Sequence, residues 1–171
     1  MPAAERPLFP LVFIGPMAAG KTKIGKKVAR ALRVPFIDTD KRIVAEHGPI
    51  AEIFAREGED SFRVLERAAV VDALGEHAVV SLGGGAVLDA GTQADLGRCT
   101  VVYLSLTAAA AADRIGGTKR PLLREGVGAW GRIFEERRPI YEALASIRFD
   151  TSKRPVDRIA DDIVNWVREK S

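Results

Sequence analysis

Five short apolar runs punctuate the chain: Leu11 to Gly15, Val34 to Asp38, Ala78 to Leu82, Thr100 to Leu106 and Ile147 to Thr151. Each has the length of a strand, and their near-continuous apolarity suits strands covered on both faces. After the first run, Ile24, Val28, Ala31 and Leu32 return at helical spacing and define one face of a helix. At the other end, Val156, Ile159, Ile163, Trp166 and Val167 share a side, while Asp161, Asp162, Arg168 and Glu169 fall mostly on the other. Strands alternating with helices predict an α/β domain built on a five-stranded parallel sheet.

Two segments interrupt that alternation. Thr39 to His77, between the second and third runs, has room for two or three helices rather than one crossover, and such extra structure suits a substrate site. Gly116 to Gly131 holds five glycines, two arginines and a proline and has no apolar period, so it reads as a mobile flap.

Composition bounds the class. A chain of 171 residues, 47% apolar and 29% charged, suits one folded, water-soluble domain. The apolar stretch from Leu8 to Ile14 is broken by Pro10 and is far too short to cross a bilayer, and no export signal is read at the start. A cytoplasmic location is therefore expected. The single cysteine, Cys99, has no internal partner and reads as a core thiol, and His47 and His77 have no ligand spacing between them. Net charge is +3, but the basic residues are spread along the chain and interleaved with acids. That balance suits phosphate-bearing small molecules, and the absence of an aromatic-rich basic stripe argues against nucleic acid.

The strongest chemical signal is Gly15-Pro-Met-Ala18-Ala19-Gly20-Lys21-Thr22, a glycine, four residues, then Gly-Lys-Thr. It follows an apolar strand and opens an amphipathic helix, the placement that aims backbone N–H groups and a helix N-terminus at an anion. In that setting Lys21 reaches the outer phosphates of a nucleoside triphosphate and Thr22 ligates Mg²⁺. Asp38 and Asp40 sit where the second strand ends, the side on which open parallel sheets present their ligand crevice. Asp38 is read either as holding a metal-bound water or as capping the next helix, and Asp40 as accepting the proton of a substrate hydroxyl. Gly83, Gly84 and Gly85, after the third strand, allow close backbone approach to a ligand. Arg63, Arg120 and Arg137 carry the planar fork that grips carboxylate or phosphate.

Taken in order, these segments resemble the shikimate kinases along nearly the whole chain. The carriers are Ile14 to Thr22, Phe36 to Asp40, Ile53-Phe54 with Gly58-Glu59 and Phe62-Arg63, Ser81 to Val87, Arg120 to Leu123, and Arg137 to Tyr141. The resemblance implies a three-layer phosphate-loop kinase fold with a helical substrate-binding insertion and a lid. It also implies ATP as phosphoryl donor, Mg²⁺ as its metal, and the 3-hydroxyl of shikimate as acceptor. By the same resemblance, residues 18–23, Lys23 included, cradle the phosphates, and Asp38 supports the metal through water. Arg63, Arg137 and the glycines at 83–85 hold the substrate, Asp40 is the base, Arg120 enters from the lid, and Arg114 and Arg154 flank the adenine. A monomer is expected. Three departures stand out: Ala18 where that family commonly has glycine, Lys23 where it often has threonine, and a lid a few residues shorter. Ala18 narrows the backbone freedom of the loop. The rival readings are a kinase of the same fold for gluconate or a cyclitol, and a catalytically silent binding module.

Overall fold

The apolar runs pair into one parallel sheet with strand order β2-β3-β1-β4-β5. The computed structural model describes residues 7–115, 127–153 and 155–171. The strands are β1 (Leu11–Ile14), β2 (Phe36–Asp38), β3 (Val79–Ser81), β4 (Thr100–Ser105) and β5 (Ile147–Asp150), each one or two residues shorter than its apolar run. The helices are α1 (Lys21–Leu32), α2 (Thr39–His47), α3 (Ile50–Glu57), α4 (Glu59–Leu74), α5 (Ala90–Leu96), α6 (Ala108–Ile115), α7 (Val127–Leu144) and α8 (Val156–Lys170), with a short 3₁₀ turn at Ala86–Leu88.

The continuous apolar runs are explained by a core on each side of the sheet. Leu11, Phe13, Val79, Val102 and Leu104 face one core, shared with Ile24 and Val28 of α1 and with Ile159, Ile163 and Val167 of α8. Their neighbours Val12, Ile14, Val80, Val101 and Tyr103 face the other, shared with Val70 of α4, Leu96 of α5 and Tyr141 of α7. Successive strand side chains point to opposite faces, so a strand buried on both must be apolar throughout. The two edge strands depart from this: in β2 only Ile37 is buried, and in β5 Arg148 and Asp150 are exposed while Ile147 and Phe149 are half-buried. Cys99 is buried, as expected of a core thiol, its Sγ donating to the Asp95 carbonyl at 3.4 Å.

Both irregular segments gain definition. Thr39 to His77 forms three helices, α2 to α4, around a small core of Ile43, Ile53 and Phe62. The expected flap is corrected at its C-terminal end: residues 127–131 are the opening turn of α7, not loop. Trp130 is buried there and stacks on Phe134 one turn later, which supplies the apolar spacing that Gly128 and Gly131 obscure. The rest of the flap, 116–126, lies outside the described residues. No helix among the described residues is long and apolar enough to cross a membrane.

Strand order changes direction around β1, and a crevice at the carboxyl ends of the strands is where such sheets take ligands. Here it is a cleft of about 660 Å³ that runs from the phosphate loop to the three-helix insertion.

Candidate active site

The loop between β1 and α1 is shaped by backbone constraints. Gly15 has φ of 148°, and a Cβ there would lie 2.2 Å from the Leu104 carbonyl oxygen, so no side chain fits. The Pro16 carbonyl accepts from the Ala19 N–H at 3.3 Å, and Ala18 has φ of 73°. Those are the features of a type II turn, whose third residue favours glycine. An alanine in that left-handed region costs roughly 1–2 kcal/mol, which gives the departure at Ala18 a physical meaning. Gly20 caps α1 without a side-chain hydrogen bond, and the first turn of the helix carries no acid. The first N–H groups of α1 therefore face the cleft for an anion to satisfy. Lys21 Nζ donates to the Gly15 and Pro16 carbonyls at 2.6 and 3.1 Å, which folds it over the loop. Lys23 is exposed at the cleft rim.

Of the two readings the sequence left open for Asp38, the structure shows the helix cap. One carboxylate oxygen accepts from the Lys41 N–H at 3.2 Å as the N-cap of α2, and the other accepts from the Thr22 hydroxyl at 3.0 Å. The helix cap thereby fixes the carboxylate beside Thr22.

The three glycines after β3 each lie against a charged side chain. A Cβ on Gly83 would fall 2.6 Å from Asp40 Oδ1, one on Gly85 2.6 Å from Arg63 Nη2, and one on Gly84 3.2 Å from Arg137 Nη1. The motif thus clears space for these groups. Asp40, Arg63 and Arg137 come from α2, α4 and α7, and all three line the cleft. Asp40 Oδ1 is buried and has no hydrogen-bond partner. Burial, and next the charge of Asp38, push the Asp40 carboxyl above the usual carboxylate range, while Lys21 and Arg63 pull the other way. A buried, unpartnered carboxylate oxygen is costly, and a donor supplied by a ligand removes that cost.

Two further participants escaped sequence reasoning. Glu66, only 4% exposed, accepts from Arg63 Nη1 at 2.6 Å and so aims the guanidinium; burial raises its carboxyl, opposed by Arg63. The i,i+3 spacing of Arg63 and Glu66 was the available signal. Tyr141, fully buried, donates its hydroxyl to the Gly84 carbonyl at 2.6 Å, and its pKa is raised by burial, which keeps the donor protonated.

Arg114 reaches from α6 to the Ala18 carbonyl (2.9 Å) and the Thr151 hydroxyl (3.2 Å), and it also bonds the Thr151 carbonyl. It therefore ties the phosphate loop to the end of β5, on the border of the cleft. Arg120 and Arg154 lie outside the described residues.

A phosphate loop opening a helix, with an acid, two arginines and close-approach glycines in one cleft, defines a phosphotransferase for a small anionic acceptor. A family model described as shikimate kinase matches residues 17–168. Shikimate kinases of Rhodococcus jostii and Mycobacterium tuberculosis are 42% and 43% identical, covering 92% and 94% of this chain and 97% and 94% of their own. Among solved structures, shikimate kinase from Acinetobacter baumannii in complex with shikimate has a TM-score of 0.88 at 30% identity, over 94% of this chain and 93% of that one. A gluconokinase from Sinorhizobium meliloti reaches a TM-score of 0.60 at 19% identity, over 95% and 94% of the two chains, a likeness of fold alone. The chain belongs to the shikimate kinase family and is an enzyme of that activity.

Proposed function

We propose that this chain moves the γ-phosphoryl group of ATP to the 3-hydroxyl of shikimate, with Asp40 as the base. The observation that carries this reading is the buried, partnerless Asp40 Oδ1, with Arg63 and Arg137 in the same cleft. A substrate with a carboxylate and several hydroxyls satisfies both ends: the arginines take the carboxylate and Asp40 takes a hydroxyl proton. The raised Asp40 carboxyl brings it closer to the pH of the cell, where a base is most effective.

Lys21 exchanges its two loop carbonyls for phosphate oxygens when nucleotide binds, and the N–H groups of the loop and of α1 hold the rest of the phosphate chain. Mg²⁺ fits beside Thr22 and Asp38, whose oxygens are the hard donors this ion takes alongside water and phosphate. When bound, it neutralises charge on the phosphates. Asp38, fixed by its capping bond, orients that site from the protein side. Arg114 stands against the loop for the base of the nucleotide, and the roles of Arg120 and Arg154 follow from the family resemblance.

The test is ADP release from Mg-ATP with shikimate, quinate, gluconate and a cyclitol offered separately, followed by mass analysis of the product. Turnover selective for shikimate supports the reading. Preference for gluconate or the cyclitol overturns it, and nucleotide binding without turnover of any of the four favours the silent module.

A further inference from the structure

The indole of Trp130 donates its N–H to the Met17 carbonyl at 2.8 Å, across the 113 residues that separate α7 from the phosphate loop. Met17 and Ala18 are the central residues of the Pro16–Ala19 turn. Type I and type II turns differ by a flip of that central peptide, and only the flipped form requires a positive φ at its third residue. Ala18, at φ of 73°, occupies the flipped form although its Cβ disfavours it. The Met17 carbonyl belongs to the flipped peptide, so the bond to Trp130 is available to one form of the turn. Because a trans peptide points its C=O and N–H in opposite directions, holding the carbonyl against α7 turns the Ala18 N–H away from α7.

The surroundings of Trp130 make that bond firm. The indole is 3% exposed, its ring stacks on Phe134 with centroids 5.0 Å apart, and Phe134 in turn stacks on Tyr141. The next peptide is held by Arg114 of α6, which donates to the Ala18 carbonyl at 2.9 Å.

We propose that Trp130 is a positioning residue for the nucleotide: its indole N–H holds the Met17–Ala18 peptide in the phosphate-binding orientation and so compensates for alanine at position 18. The inference rests on the nucleotide-binding reading of this loop. The apparent dissociation constant of nucleotide rises in inverse proportion to the fraction of loops in the competent turn. Trp130→Phe keeps an aromatic ring and removes the N–H, which lets the turn relax toward the form alanine prefers. Ala18→Gly removes the preference, so it rescues Trp130→Phe.

Calorimetric titration of MgADP and, separately, of shikimate is made on the wild type, Trp130→Phe, Ala18→Gly and the double variant. Trp130→Phe is expected to weaken MgADP about ten-fold and to leave shikimate within about two-fold, and the double variant to return MgADP to within about three-fold of wild type. Three results overturn the proposal: an unchanged MgADP constant in Trp130→Phe, equal weakening for both ligands, or a glycine effect of the same size whichever residue stands at 130. A wild type that binds shikimate but no MgADP brings down the nucleotide-binding reading along with it. Should Trp130→Phe not fold, the indole ¹⁵N–¹H resonance of Trp130 in the intact protein decides. Slow solvent exchange and a shift on adding MgADP support the bond, and fast exchange in both states overturns it.

Discussion

Asp40 sits where stability and activity pull apart. Its folded-state pKa is raised by burial, so the native state holds the proton more tightly than the unfolded chain. Stability then falls as pH rises through the carboxylate range, because deprotonation favours the unfolded state. Asp40→Asn should lower turnover by roughly two to four powers of ten. The same variant should melt above the wild type at pH 7, with the gap closing below about pH 4, where the unfolded carboxyl is also protonated. Thermal melts from pH 3 to 8 beside initial rates check both halves, and equal melting temperatures at pH 7 would remove the strain argued for Asp40. Arg137 tests the carboxylate grip. Arg137→Ala loses a charge-assisted pair worth about 1.5–3 kcal/mol, which is roughly 10- to 150-fold in the Michaelis constant for shikimate. An unchanged constant would place the carboxylate elsewhere.

At the level of elements, the end of β2 and the start of α2 share one residue that caps and binds. Asp38 accepts from the Lys41 N–H with one oxygen and from Thr22 with the other. Asparagine is as good an N-cap as aspartate, whereas alanine forfeits about 1 kcal/mol. Asp38→Asn is therefore expected to keep the melting temperature while losing magnesium-dependent turnover. Asp38→Ala should lose both, with a drop of about 2–4 °C. Differential scanning fluorimetry and a magnesium titration of the rate separate the two functions, and a fall in stability for Asp38→Asn would mean the cap depends on charge. The triple glycine belongs to this scale too. Gly83→Ala puts a methyl group against Asp40, so turnover should fall although no reactive group has been removed.

Across the whole molecule, α2 and α3 of the insertion pack with the start of α4 on a small core of their own. That core has three buried apolar residues, Ile43, Ile53 and Phe62, whereas the sheet is packed from both faces. Amide hydrogens of α2 and α3 should exchange faster than those of β1 and β4. Saturating shikimate, which bridges the insertion and the sheet in the proposed reading, should slow them. A ligand at about 100 times its dissociation constant adds about 2.7 kcal/mol, or about 5–10 °C in melting temperature. Exchange in α2 and α3 that ignores shikimate would mean the substrate does not contact the insertion.

The sequence by itself determined the five strands, because a strand buried on both faces must be apolar throughout, and the phosphate loop, because its geometry demands glycines at fixed spacing. It also determined the chemical types of Asp38, Asp40, Arg63 and Arg137. The tertiary structure decided the rest. Two glycines and Pro139 disguise the 18-residue helix α7, which forms because Trp130, Phe134 and Tyr141 stack in the interior. Tyr141 on Gly84 and Trp130 on Met17 join residues 57 and 113 positions apart. No local pattern encodes such contacts, since they exist only once the helices pack onto the sheet. Burial works the same way: the sequence shows that position 40 is an aspartate, and only the fold takes its oxygen out of water with no partner.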